Sequence, residues 1–147
     1  MDRSPTLPPA IIVPPEQAQL IKPFGINMRV LLTTQATGGA LSVIMGWHKP
    51  GEGLPDHVHF RQEEVFFVVE GIYELTLGDQ TTAVGPGTIV FIPRNVVRRF
   101  KNIGLTTACM LDWSLSGGLD HCFKAISELA AGDGFTDEAA MGAQPVV

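Results

Sequence analysis

Two histidines, His57 and His59, stand one residue apart and are followed by Glu63 and Glu64 within GEGLPDHVHFRQEEVFFVVEG, residues 51–71. On an extended strand alternate side chains share a face, so both imidazoles project the same way and can meet one ion. Glu64 opens the next β-rich run and returns across a short turn. Two imidazoles and one carboxylate from adjacent strands make the facial ligand set that suits non-haem iron and equally accepts nickel, manganese or zinc. A His-x-His pair alone is more often surface or hydrogen-bonded core. Here the glutamate within reach, the β context and the flanking Gly51 and Gly71 together point to an inward-facing polar site.

The elements that must position this set are short and β-rich. From Met28 to Phe100 and on to Trp113 the runs are MRVLLTT, ALSVIMGWH, EVFFVVE, IYELTLG, TTAVG, TIVFIP, VVRRFKN and TTACMLDW. Between them stand Thr37-Gly38-Gly39, Pro50-Gly51, Glu70-Gly71, Gly78-Asp79, Gly85-Pro86-Gly87 and Pro93-Arg94-Asn95, all with turn chemistry. Few of these breaks could hold a crossover helix, so neighbouring strands are expected to be antiparallel in an all-β sandwich or barrel. Ahead of them, residues 1–27 form a Pro-rich arm that is extended or at most an edge strand near Ile11 to Val13. The barrel is expected over 28–117. In the remainder, 118–147, Leu119, Cys122, Phe123, Ile126, Leu129 and Ala130 recur at helical spacing with Asp120 near the start, and a Gly-rich acidic tail follows.

Composition restricts the partners. The 147 residues are 45% apolar and 17% charged with a net charge of −5, which fits one domain with a real core. An acidic surface repels phosphate backbones and anionic lipid, and no apolar run approaches the roughly 18 residues of a membrane span. The expected partner is therefore a small molecule, with neither nucleic acid nor membrane. Cys109 and Cys122 lack CxxC spacing, read as small buried apolar residues, and with the absence of a basic-then-apolar N-terminus suggest a cytoplasmic protein with reduced thiols.

The segment around the histidines resembles the first motif of the cupin superfamily: glycine, five residues, H-x-H, three or four residues, glutamate, six residues, glycine. Gly51, His57, His59, Glu64 and Gly71 meet it with the four-residue gap, whereas choosing Glu63 puts the final glycine out of register. GPGTIVFIPRNVVRRFKN resembles the second motif, with Pro93 and Asn102 in place and Asn95 standing for a turn glycine, a substitution Asn tolerates at positive φ. The spacing, the TGGALSV opening at Thr37 and the trailing helix are similar to the small quercetin-dioxygenase-like cupins. The resemblance implies a double-stranded β-helix, or jelly-roll, barrel, frequent dimerisation and a divalent metal on His57, His59 and Glu64. It also implies a choice among dioxygenases, isomerases, cyclases and small-molecule sensors.

The departure is Arg98, which stands where the family's fourth metal ligand, a histidine, would be. Arg has no lone pair for a metal, and at about 4 Å from a divalent ion with an effective dielectric near 20 the repulsion is roughly 8 kcal/mol. Three arrangements stay open. Arg98 bends to the barrel mouth and leaves an open metal site; or it pairs with Glu64 in a bidentate salt bridge that replaces the ion, with His57 and His59 as acid/base groups; or it snorkels to solvent over an inert pocket. The first, which is the leading reading, makes the chain a metal-dependent oxidoreductase of the quercetin-dioxygenase-like type on an enolisable or aromatic substrate, with Arg98 engaging an anionic oxygen. The second makes it a metal-free cyclase or isomerase with Arg98 stabilising an enolate, and a ligand-binding cupin without turnover is a third function.

The remaining residues have plainer readings. Arg98 and Phe100 are expected on the inward face, with Arg99 and Lys101 outward. Phe66 and Val68 follow Glu64 on one face and, with Phe100, are candidates to line a substrate pocket. His48 is read as a strand-end or surface histidine, and His121 as exposed on the helix. Exposed strand edges and the arm predict a homodimer.

Overall fold

The computed structural model describes residues 7–130; the acidic tail and the first six residues lie outside the described residues. Ten strands and one helix follow in chain order: β1 Gln19–Ile21, β2 Asn27–Leu32, β3 Leu41–His48, β4 Gly53–His57, β5 Glu63–Glu70, β6 Tyr73–Leu77, β7 Gln80–Val84, β8 Ile89–Ile92, β9 Arg98–Asn102, β10 Ala108–Leu115 and α1 Leu119–Ala130. They pair into a six-stranded sheet, β1-β2-β3-β10-β5-β8, and a four-stranded sheet, β4-β9-β6-β7, with every pairing antiparallel. The sheets face each other as a jelly roll. Ile44, Phe66, Val68, Ile92 and Met110 of one sheet meet Leu54, Tyr73, Leu75 and Phe100 of the other in one apolar core. Phe66 and Phe100 pack edge to face across it with ring centroids 5.6 Å apart, a geometry aromatic quadrupoles prefer.

Alternation sets the inward faces. In β3, Ser42, Ile44, Gly46 and His48 are buried while the residues between them are half-buried; in β9, Arg98, Phe100 and Asn102 are buried and Arg99 and Lys101 exposed. Two turns fix the ends of these strands. At Gly53 a Cβ would sit 1.8 Å from the Phe100 carbonyl oxygen, so only glycine lets β4 approach β9 there. Asn95 takes φ 71°, as the sequence predicts for a residue replacing a turn glycine, and its N–H donates to the His59 carbonyl at 2.9 Å. The β8–β9 turn is thereby tied to the loop that carries His59.

The structure corrects four expectations. The edge strand of the arm lies at Gln19–Ile21, because its partner β2 is in register there (Gln19 with Val30, Ile21 with Met28), while residues 11–13 have no regular structure. His57 ends β4 and His59 lies past that end, so the two do not share one continuous strand; a register shift between Leu54 and His57 bends the chain first. His48 is a strand-end residue but not a surface one, being 2% exposed. On α1 Leu119, Phe123 and Ile126 are buried and Cys122 half-buried, but Leu129 is 61% exposed, one turn beyond the last barrel contact.

α1 is anchored at its start. Asp120, 4% exposed, accepts hydrogen bonds from the backbone N–H of Thr34 at 3.0 Å and from the Thr34 hydroxyl, which in turn accepts from Gly118 N–H at 2.8 Å. The helix packs on the Pro23–Gly25 turn, and Ser127 accepts from the Lys22 N–H at 2.8 Å. Phe123 consequently reaches the barrel interior. His121 stays outside, as expected.

Candidate active site

β4, β5, β9 and β10 deliver the polar side chains to the core. His57, His59, Glu64 and Arg98 are at most 6% exposed, and the ligand-competent atoms of His57, His59 and Glu64 lie within 4.8 Å of one another. The histidine rings meet edge to face at 5.2 Å. His57 Nδ1 lies 2.8 Å from the Pro55 carbonyl oxygen. A carbonyl only accepts, so Nδ1 carries the proton and Nε2 presents a lone pair. Among the described residues both ring nitrogens of His59 lack a hydrogen-bond partner, and its Nε2 is 3.7 Å from Glu64 Oε1. Glu63, the alternative in sequence, lies outside this cluster and pairs with Arg94 at 2.8 Å near the surface.

Arg98 pairs with Glu64. Its Nη1 donates to Glu64 Oε1 at 2.6 Å with both side chains essentially sealed from solvent. The bidentate form expected from the sequence does not occur, because the rest of the guanidinium is used elsewhere: Nε and Nη2 donate to the Val96 carbonyl at 3.2 and 2.9 Å, and Nη2 to that of Pro93 at 3.3 Å. The snorkelling and mouth-facing arrangements are both excluded by that burial. Carbonyls of the β8–β9 turn thus hold the cation in place from behind.

One acidic member of this cluster escaped the sequence reading. Asp112 on β10 is half-buried, hydrogen-bonds to Glu64 and has an Oδ1 with no partner. Burial, then the charge of Glu64 and the bond to it, push the Asp112 carboxyl well above its usual range, which favours its protonated form. Burial also pushes Glu64 up, but His59, the bond from Asp112 and the charges of Arg98 and His57 outweigh it and bring Glu64 below the usual carboxylate range. Of the two carboxyls, Asp112 is the one that favours the proton and Glu64 the one that favours the charge. No spacing rule points to Asp112; the only signal was an acid in the otherwise apolar run ACMLDW.

The pocket predicted from Phe66, Val68 and Phe100 is only partly realised. Phe100 lines an interior cavity of about 20 Å³ together with Leu54, Met110, Phe123, His48 and Asp112, whereas Phe66 and Val68 are packed into the core and do not line it. A separate groove of about 240 Å³ lies near Glu74, Arg99 and Lys101 and shares Leu54 and Phe100 with that cavity, but is not lined by His57, His59, Glu64 or Arg98.

Burial also sets a pH response. It pushes His48 down to about 4, and pushes His59 to about 4 with Glu64 opposing and His57 and Arg98 assisting. Both folded values lie below the unfolded value near 6.5, so the unfolded chain binds more protons between them and stability falls as pH drops from about 6.5 towards 4. Urea unfolding at pH 7.5 and pH 5 is expected to differ by about 4 kcal/mol from these two groups. Equal stability at the two values would mean the imidazoles are not buried neutral.

A family model for the Cupin domain matches residues 48–114, which span β3's last residue to β10. Protein SchB from Streptomyces halstedii is 36% identical over 94 residues, 63% of this chain and 64% of that protein. Polyketide synthase CurC from Streptomyces cyaneus is 37% identical over 89 residues, 59% of this chain and 57% of that protein. The chain therefore matches less than two thirds of the length of either relative. Among solved structures, an RmlC-like cupin from Shewanella frigidimarina superposes with a TM-score of 0.66 at 19% identity, covering 79% of this chain and 99% of that one. KdgF from Halomonas sp. gives 0.61 at 19% identity, covering 71% and 91%. Residues 48–114 thus match the Cupin domain, and the jelly roll of two antiparallel sheets is the fold of these cupin structures.

Proposed function

We propose that this cupin is a small-molecule enzyme that moves protons on an enolisable carbonyl compound, a cyclase or isomerase working without a metal. The observation that supports it is the guanidinium of Arg98 on Glu64. His57, His59 and Glu64 have the donor types of a divalent site, and the unpartnered nitrogens of His59 would suit one. The third donor argues against it. Glu64 Oε1 is already bonded to a cation whose remaining N–H groups are fixed by Val96 and Pro93. An ion brought to about 4 Å from it meets roughly 8 kcal/mol of repulsion. The set does not fit an iron, nickel, manganese or zinc ion while Arg98 holds this position.

In this reading His57 is the base. Burial lowers its pKa, so it is neutral at pH 7 with Nε2 free to take a proton from the carbon beside a carbonyl. Asp112 is the acid that protonates the oxygen as the enol forms, and the ionised Glu64, held by Arg98, keeps that proton available. Arg98 places a fixed positive charge where an enolate oxygen gains negative charge. His59 fills the space between His57 and Glu64. CurC, named a polyketide synthase, supports a poly-carbonyl substrate class for a related chain. The metal-dependent dioxygenase reading would require Arg98 to leave Glu64.

The test needs no natural substrate. In D2O buffer with a chelator, wild-type protein is expected to exchange the α-protons of 1-tetralone, read by NMR, and Asp112→Asn to lose about 100-fold or more of that rate. The amide can still donate to Glu64, so the fold is kept. Exchange that needs added metal would sink the metal-free reading.

We also propose a homodimer, built on a sheet face rather than on edges. Directly opposed residues place Val43, Trp113, Val65 and Phe91 in one row and Met45, Leu111, Phe67 and Ile89 in the next, both on the outer side of the six-stranded sheet. Ile89 and Phe91 are 64% and 57% exposed. A sheet apolar on both faces needs a cover, and a second copy offers the same self-complementary patch. Ile89→Lys/Phe91→Lys is expected to turn a dimer into a monomer by light scattering; an unchanged mass would place the interface elsewhere. The unit proposed is a barrel over 28–117 with the arm and helix as its accessories. Its setting is the cytoplasm, where the free Cys109 and Cys122 stay reduced.

A further inference from the structure

His48 takes no part in the proton path just described, yet it is one of the most completely buried side chains of the barrel. Its ring packs edge-on against Tyr73 and Phe100, with centroids 5.4 and 5.1 Å away, and its Nδ1 is 2.7 Å from the Tyr73 hydroxyl. Its carbonyl accepts from Asn102 Nδ2 at 2.9 Å, which fixes the backbone from which the ring hangs. Nε2 has no hydrogen-bond partner among the described residues.

The tautomer follows from counting donors. Tyr73 is 1% exposed and His48 Nδ1 is its hydroxyl's one hydrogen-bond partner among the described residues. If the phenol donates, Nδ1 accepts and only the Nε2–H is left unpaired. If Nδ1 donates instead, the phenol proton and the Nε2 lone pair are both left unpaired, which doubles the cost of burial. The neutral imidazole therefore presents Nε2–H. Around it the wall is apolar, with Met28, Met110 and Phe123 on the same cavity. At Gly46 a Cβ would come within 3.0 and 3.3 Å of His48 Cε1 and Nε2, so the missing side chain is what leaves that nitrogen room. The one other polar side chain on the cavity is Asp112, whose Oδ1 is also unpartnered. The cavity of about 20 Å³ accepts a group the size of one oxygen. Two methionines on its wall can yield to the rest of a ligand.

We propose that the Nε2–H of His48 is the anchor for a carbonyl oxygen of the substrate, with Tyr73 as the residue that holds His48 in the donating tautomer. The site takes a neutral, apolar carbonyl compound: the ring system rests against Phe100, Met110 and Phe123, and the oxygen end lies between His48 and the acid Asp112. The substrate class rests on the acid/base reading above. The His48 anchor deepens it by supplying the contact that distinguishes an oxygenated ligand from its hydrocarbon skeleton.

The experiment compares 1-tetralone with tetralin, the same skeleton without the oxygen, using ¹⁵N-histidine-labelled full-length protein. In the free protein, the imidazole spectrum is expected to report His48 as the Nε2–H tautomer. 1-Tetralone should move that signal and tetralin should not. In His48→Leu/Tyr73→Phe, which removes both members of the pair and so leaves neither one's polar atom without the other, 1-tetralone should bind roughly tenfold more weakly while tetralin is unaffected. Tyr73→Phe alone should give a mixture of tautomers and an intermediate loss. The proposal is overturned by an Nδ1–H tautomer in the wild type, by no binding of 1-tetralone, or by equal 1-tetralone affinity in the double variant. Failure of the acid/base reading looks different: the His48 signal moves with 1-tetralone, but no α-proton exchanges.

Discussion

Arg98→His protein, purified and dialysed beside the wild type, is expected to hold close to one divalent ion per chain, while the wild type holds none. The substitution restores a ligand-competent side chain and removes the cation at once. Coulomb repulsion of roughly 8 kcal/mol at about 4 Å corresponds to several decades of affinity, and with relaxation of the site a gain of at least about 1000-fold is expected. Elemental analysis gives the stoichiometry. The melting temperature gives a second readout, because an ion that binds only the folded state stabilises it in proportion to its affinity. Without metal the variant should be less stable than the wild type, since Glu64 then loses its 2.6 Å partner inside the core. One ion per chain in both proteins would overturn the metal-free reading and return the chain to Lewis-acid or O2 chemistry on His57, His59 and Glu64.

Glu64→Gln is expected to be the most damaging conservative change in the barrel, costing about 3–5 kcal/mol in urea unfolding at pH 7.5. The loss comes less from the missing attraction than from what remains, an Arg98 side chain with no solvent exposure and no counter-charge. The amide also leaves a single neutral acceptor oxygen for both Arg98 and Asp112. Glu64→Gln/Arg98→Leu should recover most of the deficit, because replacing both members of a buried pair with uncharged groups is often close to neutral. The sign with pH agrees: the folded Glu64 pKa is held below its unfolded value, so its contribution is present above the unfolded pKa and lost as pH falls through the folded one. A loss below about 1 kcal/mol in Glu64→Gln would mean that the pair does not hold the site together.

These two variants mark the boundary between what could be read in advance and what could not. His57, His59, Glu64 and Gly71 were legible from the motif spacing and its turn glycines, although the strand alternation expected for the two histidines fails because β4 ends at His57, and Asn95 was legible because a turn with positive φ accepts few residues. The inward direction of Arg98 and Phe100 followed from the same period of two. The edge strand of the arm was misplaced because Ile11 to Val13 and Gln19–Ile21 are equally short and equally bounded by prolines or polar residues, and only pairing with β2 distinguishes them. His48 was misread because the face of β3 that turns inward is chosen by the opposite sheet, through Tyr73 and Phe100.

The sequence by itself determined the fold class, the two motif segments and the presence of an arginine at a ligand position, since these depend on local period, turn chemistry and residue type. The tertiary structure alone decided that the arginine closes on Glu64, that Asp112 lies against the same carboxylate from β10, and that His48 is left with a bare donor in an apolar cavity. Each of those depends on which strands become neighbours: Ser114 of β10 faces Glu64 of β5, and His57 of β4 faces Arg98 of β9. Such pairings bring together residues tens of positions apart in the chain, and burial then fixes their charges, neither of which is written in any one stretch of sequence.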